Sequence, residues 1–283
     1  MFYQFLSVFL NAISILLAKF SFGWISENAF LLIYAVTFML LALIHARMPD
    51  MVRYLTTRNG IASAVLNTLG TWCFYMGLEK LTPSTHSFIA RSYIIFGMII
   101  SVLWFREKLT NAKVLVLITC ITGVALSSLP DTEGTVTLQA VIFTLLSSLL
   151  FALNYAVLKK KTQDIHPCVP LGVNGLFLFA LAIFLGAGQG QKMFNGLDVQ
   201  GTTCSVVSAA FIFYSMFSYI KTAGSVDFHV ATALRALSPV VVTLISLPFY
   251  GYQFGQFKLT GELLVIVSII AMGMTQTINR RVK

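Results

Sequence analysis

Two arginines stand inside apolar stretches of this 283-residue chain, where a charge has to be put to use. Arg91 lies in SFIARSYIIFGMIISVLWF and Arg235 in FHVATALRALSPVVVTLISL. A histidine precedes each, His86 by five residues and His229 by six. A guanidinium presents a planar fork of donors that matches carboxylate or phosphate. At the centre of a bilayer it costs about 2.5–3.5 kcal/mol on insertion scales. Matched placement in two distant stretches therefore marks both arginines as candidate charge partners for an anionic or zwitterionic group. Lys19, inside the first apolar stretch, is a third candidate cation. Asn154, Tyr155, Trp72, Tyr75, Tyr93 and Tyr214 are candidate orienting or stacking residues. Trp72 and Tyr75 share a helical face at i, i+3, and an amide in a helix core, as at Asn154, wants a partner. His86 and His229, each near a helix start and on opposite faces, are candidates for proton sensing or gating, with a proton as the coupled ion.

The elements that must position these residues follow from composition. Hydrophobic residues make up 57% of the chain and charged ones 10%, against roughly 25% charged in an ordinary soluble domain. Mean hydropathy is +0.84. The chain is expected to be an integral membrane protein, with the lipid bilayer as its solvent. A net charge of +9 would suggest nucleic acid in a soluble protein, but here the basic residues fall between apolar runs and act as topology signals. Cys73, Cys120, Cys168 and Cys204 stand singly, with no CxxC, and read as small packing residues. No metal centre and no cofactor is expected.

A spanning helix needs about 20 apolar residues. That ruler predicts ten: Phe2–Phe22, Asn28–Ala46, Ile61–Gly77, Ser84–Phe105, Val114–Leu129, Val136–Leu158, Val169–Ala187, Thr202–Ile220, Phe228–Tyr250 and Leu259–Thr277. The first lacks a basic leader and reads as a spanning helix rather than a cleaved signal. With both termini cytoplasmic, thirteen of the nineteen Lys and Arg residues fall in inner loops and the tail. Three, Lys80, Lys192 and Lys258, fall outside. The other three are Lys19, Arg91 and Arg235. The loop Ser127–Val136 divides the chain into residues 1–130 and 131–283, five helices each. An odd number per half inverts the second half, so the fold class expected is all-α, ten transmembrane helices in two inverted five-helix repeats.

The segment Trp104-Phe105-Arg106-Glu107-Lys108-Leu109-Thr110, followed by an apolar helix with Gly123, resembles the EamA-like ten-helix form of the drug/metabolite transporter superfamily. Ser238-Pro239 fits the family's proline. The second half departs from the pattern, with Gln253 in place of the usual glutamate and Ser268 where a glycine is common. The resemblance spans the chain and implies alternating access around one central cavity. It identifies a scaffold and not a substrate, so the substrate must be read from the polar residues.

Glu79 and Glu262 are placed at helix ends, and no aspartate or glutamate is counted deep in a run. The cavity then reads as net positive, and a small organic anion or zwitterion is the expected substrate. Two other readings stay open. One is an efflux pump for apolar or cationic compounds, with the arginines structural. The other is a non-transporting membrane scaffold or lipid-handling protein. P-loop, GxGxxG, HExxH and GxSxG motifs are absent, so no enzyme is expected. The compact loops suggest a bacterial inner membrane.

Overall fold

The computed structural model describes residues 2–105, 111–127, 137–159, 165–187, 198–223 and 238–250, together with 257, 259–264, 266–268, 270 and 271. Every regular element among them is helical. In chain order these are α1 (Phe2–Ser21), α2 (Glu27–His45), α3 (Met48–Leu55), α4 (Arg58–Lys80), α5 (Pro83–Ala90), α6 (Ser92–Phe105), α7 (Asn111–Ser127), α8 (Leu138–Lys159), α9 (Cys168–Ala187), α10 (Val199–Ala223), α11 (Ser238–Tyr250) and α12 (Leu259–Ser268). Six segments among the described residues are long and apolar enough to cross a membrane: Glu27–His45, Arg58–Lys80, Pro83–Trp104, Leu138–Leu158, Cys168–Ala187 and Val199–Lys221. Phe5–Ser21, Val114–Gly123, Ser238–Phe249 and Leu259–Ser268 are shorter apolar helices.

Helix starts are written in the sequence. Ser26, Thr57 and Thr82 accept a hydrogen bond from the amides of Ala29, Gly60 and Thr85, satisfying donors that a first turn leaves orphaned. Asp198 does the same for α10 through the amides of Gln200 and Gly201. Two features depart from the expected runs. The stretch expected as one helix over Ser84–Phe105 is interrupted at Arg91. The loop expected between the second and third helices contains α3, whose Met51 and Tyr54 are buried; two apolar residues three apart were enough to fold a short helix onto the bundle.

Packing is set by small residues at seven-residue spacing. Ser7 and Ser14 of α1 meet Ser215 and Ser208 of α10, hydroxyl to hydroxyl at 3.1 Å in both pairs. Ser208 and Ser215 each donate to the backbone carbonyl opposite, at 2.9 and 2.8 Å. Residue numbers rise on one helix as they fall on the other, so the pair runs antiparallel. The pairing of α4 with α8 repeats the plan with Ser63, Gly70 and Gly77. Ser63 donates to Asn154 at 2.7 Å. A Cβ at Gly70 would lie 2.9 Å from the Phe151 ring, and one at Gly77 would strike the Thr144 hydroxyl. Between these seams α2 lies along α9, and Phe30, Tyr34 and Phe38 pack with Tyr75 and Phe213 in an aromatic core. The interior is thus rich in serine, while Phe9, Leu40, Ile44, Leu103, Leu115 and Phe184 face outward. That inversion is stable against lipid, where apolar exteriors cost nothing and small polar residues let backbones approach.

Close approach, rather than the hydrogen bonds, is therefore expected to hold α1 to α10. Interhelical bonds in membranes average about 0.6 kcal/mol each, so Ser14→Ala should cost about 1 kcal/mol. Ser14→Leu overpacks the seam and should cost about 1–3 kcal/mol or more. Unfolding of the purified protein in mixed micelles measures both. Alanine proving the worse substitution would reverse the assignment.

Candidate functional site

The interruption of the fourth apolar run lies eight residues past Pro83, about 12 Å along the helix axis. No proline or glycine causes it. The Arg91 amide turns back to the Phe88 carbonyl at 3.0 Å, and the Ile94 amide reaches the Arg91 carbonyl at 3.0 Å. These i→i−3 bonds tighten the chain by one residue and leave nearby carbonyls without their usual helical amides. Hydroxyls take over. Ser92 donates to the Ile89 carbonyl at 2.7 Å, and Ser148 of α8 donates to the Ala90 carbonyl at 3.0 Å. Hydroxyl caps of this kind make broken helices tolerable where water is absent.

Arg91 itself is only 7% exposed. Its guanidinium carbon lies 5.8 Å from the centre of the Tyr93 ring, within cation–π range. His86, five residues earlier, is fully buried and sits edge-on to Phe74 at 4.3 Å. At the start of the same half-helix, Ser84 pairs with Thr243 of α11 at 2.8 Å and donates to a carboxylate oxygen of Glu262 at 3.3 Å. Glu262 is 6% exposed. Although Glu262 stands near a helix end, it is buried and meets Ser84 of α5. The signal available in sequence was a hydroxyl in another apolar run, Ser84.

The remaining candidates are dispersed. The Lys19 ammonium donates to the carbonyls of Leu78, at 3.1 Å, and Glu79, occupying orphan acceptors at the end of α4. Asn154 accepts from Ser63 and donates to Asn67 at 3.3 Å, so its amide ties α8 to α4. Trp72 packs edge-on to Phe143 of α8 at 5.8 Å, whereas Tyr75 turns to Phe22, Phe30 and Tyr34. The two share a helix but not a pocket. Tyr155 lies 6.1 Å from Tyr219. Tyr214 is 38% exposed beside His45 and Phe213. Arg235 and His229 lie outside the described residues, as do Glu107 and Gln253. Arg91, Tyr93 and His86 are therefore the candidates that the structure gathers on one broken helix, with Ser84, Thr243 and Glu262 added to them. No group of three or more His, Cys, Asp or Glu side chains suited to a metal occurs among the described residues.

Comparison with known proteins agrees with this architecture. One solved structure, described only as "Crystal structure of protein", superposes with a TM-score of 0.66 at 14% identity, covering 100% of this chain and 98% of the other. It supports the fold alone. No curated protein matches. The profile of the EamA-like transporter family matches residues 1–129 and again residues 138–274. Two matches covering nearly the whole of an apolar helical chain leave one assignment: this is a multi-pass integral membrane protein that belongs to the EamA-like transporter family.

Proposed function

We propose that the chain is a secondary transporter that moves a small organic anion or zwitterion by alternating access, with Arg91 as a principal substrate contact. The observation that carries this reading is the buried guanidinium at the break of a membrane helix. Substrate sites of secondary transporters are typically built at such discontinuities. Fixed cations there attract carboxylate or phosphate and hold it bidentately. Tyr93 and His86 supply a ring face and an imidazole alongside. Arg235 is the counterpart in the second half, and the histidines are the groups through which a proton would couple.

The same proposal includes ten spanning helices in two inverted five-helix repeats, residues 1–130 and 131–283, with both termini in the cytoplasm of a bacterial inner membrane. The six long and four shorter apolar helices support the count, with α5 and α6 forming one span. Two separate family matches that break between residues 129 and 138 support the division. So does the packing: α1 lies on α10 as α4 lies on α8, and α2 on α10 as α4 on α9. Each pair becomes the other when the halves are exchanged.

Glu262 favours a second reading, the pump for apolar or cationic compounds. A buried carboxylate that accepts a hydrogen bond from the Ser84 hydroxyl is a ready partner for an ammonium group.

Thermal stabilisation of the purified protein against carboxylates, phosphates, zwitterions and cations separates the two. A ligand at a hundredfold excess over its Kd adds about 2.7 kcal/mol. Anionic or zwitterionic compounds are expected to stabilise wild type and to lose that effect in Arg91→Gln and Arg235→Gln. Equal stabilisation of all three proteins by cations would remove the anion reading. Glu262→Gln sharpens the choice in proteoliposome uptake. A cation carrier should lose uptake on this change and keep it in Arg91→Gln, an anion carrier should show the opposite order, and a zwitterion carrier should lose uptake in both.

A further inference from the structure

The short helix α3, between α2 and α4, has a surface that the transport reading does not use. At about 100° per residue its eight positions fall into three sectors. Met51 and Tyr54 face the protein, where both are buried; the Met51 thioether lies against Gly172 of α9, 2.7–2.9 Å from where a Cβ would stand. Leu55, Met48 and Val52 form the next sector, with Met48 60% and Val52 58% exposed. Pro49, Arg53 and Asp50 form the third, all exposed. Arg47 and Arg58 stand just beyond the two ends and are also exposed. None of these three guanidinium groups has a hydrogen-bond or ion-pair partner among the described residues. Asp50 is the one acid on the segment, against three arginines.

A helix with one exposed flank apolar and the next charged suits the boundary between acyl chains and headgroups. The position agrees, because α2 is a candidate span that ends at His45 and α4 begins another at Arg58. We propose that α3 and its flanking arginines form a binding site for an anionic phospholipid. Met48 and Val52 enter the acyl layer, while Arg47, Arg53 and Arg58 hold the headgroup phosphate through their donor forks. The site is independent of the transport reading. Because Met51 and Tyr54 seat α3 on the bundle, a bound lipid also fixes the junction of α2 and α4 against α9.

Native mass spectrometry of the full chain, titrated with phosphatidylglycerol or with phosphatidylcholine of the same acyl chains, tests the site. Wild type is expected to retain phosphatidylglycerol in preference. Each arginine changed to glutamine should weaken that lipid about fivefold, with phosphatidylcholine unaffected. The combined Arg47→Gln, Arg53→Gln, Arg58→Gln variant should therefore lose it almost completely, whereas Lys221→Gln should not. Undiminished phosphatidylglycerol binding by the combined variant would reduce the arginines to topology signals and overturn the proposal. Equal retention of the two lipids by wild type would overturn it too, as would displacement by glycerol phosphate at lipid-like concentrations, which would mark a site for free phosphate. The melting temperature in phosphatidylcholine alone, expected to stay at the wild-type value, shows that the variant is folded. Should it fall, Arg53→Gln alone carries the comparison.

Discussion

Breaking a helix inside hydrocarbon strands carbonyls that water cannot reach, and a guanidinium at the break adds a charge that must find company. At Arg91 the carbonyls are answered locally and across a helix pair. Ser92 closes on Ile89, and Ser148 reaches over from α8 to Ala90. The second bond makes the break a property of the α5–α8 contact and not of the local sequence alone. It requires α8 to stand close, and α8 stands close because Gly70 and Gly77 admit it to α4. One chain of dependence thus runs from two missing side chains on α4, through the depth of α8, to the geometry around the buried cation.

The α1–α10 seam is built in the same way with serine instead of glycine. Its reciprocal hydroxyl-to-carbonyl bonds need backbones near enough that only small residues fit. Between lipid and protein there is no hydrophobic gain from helix association, so such seams depend on contact area and on polar groups satisfied inside. That is why polar residues line the interior of this molecule and phenylalanine and leucine its exterior. It also accounts for the seven-residue spacing on both seams, since residues two turns apart return to nearly the same helix face.

Much of this is legible in the sequence. Composition settles the membrane class, the apolar runs locate the helices, and the segment around Glu107 points to the family that the profile match assigns. The burial of Arg91 could be anticipated from its place in a run. The break could not, because Ala-Arg-Ser holds neither proline nor glycine, and one of the hydroxyls that cap the carbonyls there is 58 residues away. Asn154 illustrates the same limit. Its amide was bound to need partners, but Ser63 and Asn67 were chosen by the register of α4 against α8. For Trp72 and Tyr75, spacing placed both on one helix face, whereas two different neighbours divide that face between them. And α3 was hidden because three arginines in a dozen residues read as a loop, although Met51 and Tyr54 three apart were enough to seat a helix.

Glu262 changes the charge balance near Arg91, because a carboxylate expected at a helix end is buried instead. Ser84 and Arg91 stand seven residues apart, two turns along α5 and on nearly the same face. Ser84 engages the carboxylate, and Arg91 brings a guanidinium at the other end of the half-helix. A simple anion would use one of these and face the field of the other. A simple cation would meet the same conflict in reverse. A zwitterion satisfies both, since its carboxylate can turn to the arginine while its ammonium turns to the glutamate, and neither protein charge is left opposing the bound molecule. Within the proposed transport function, the pair therefore weighs toward substrates carrying both charges. On that basis Arg91→Gln and Glu262→Gln should act on opposite ends of one ligand, and their effects on its binding should be coupled rather than additive.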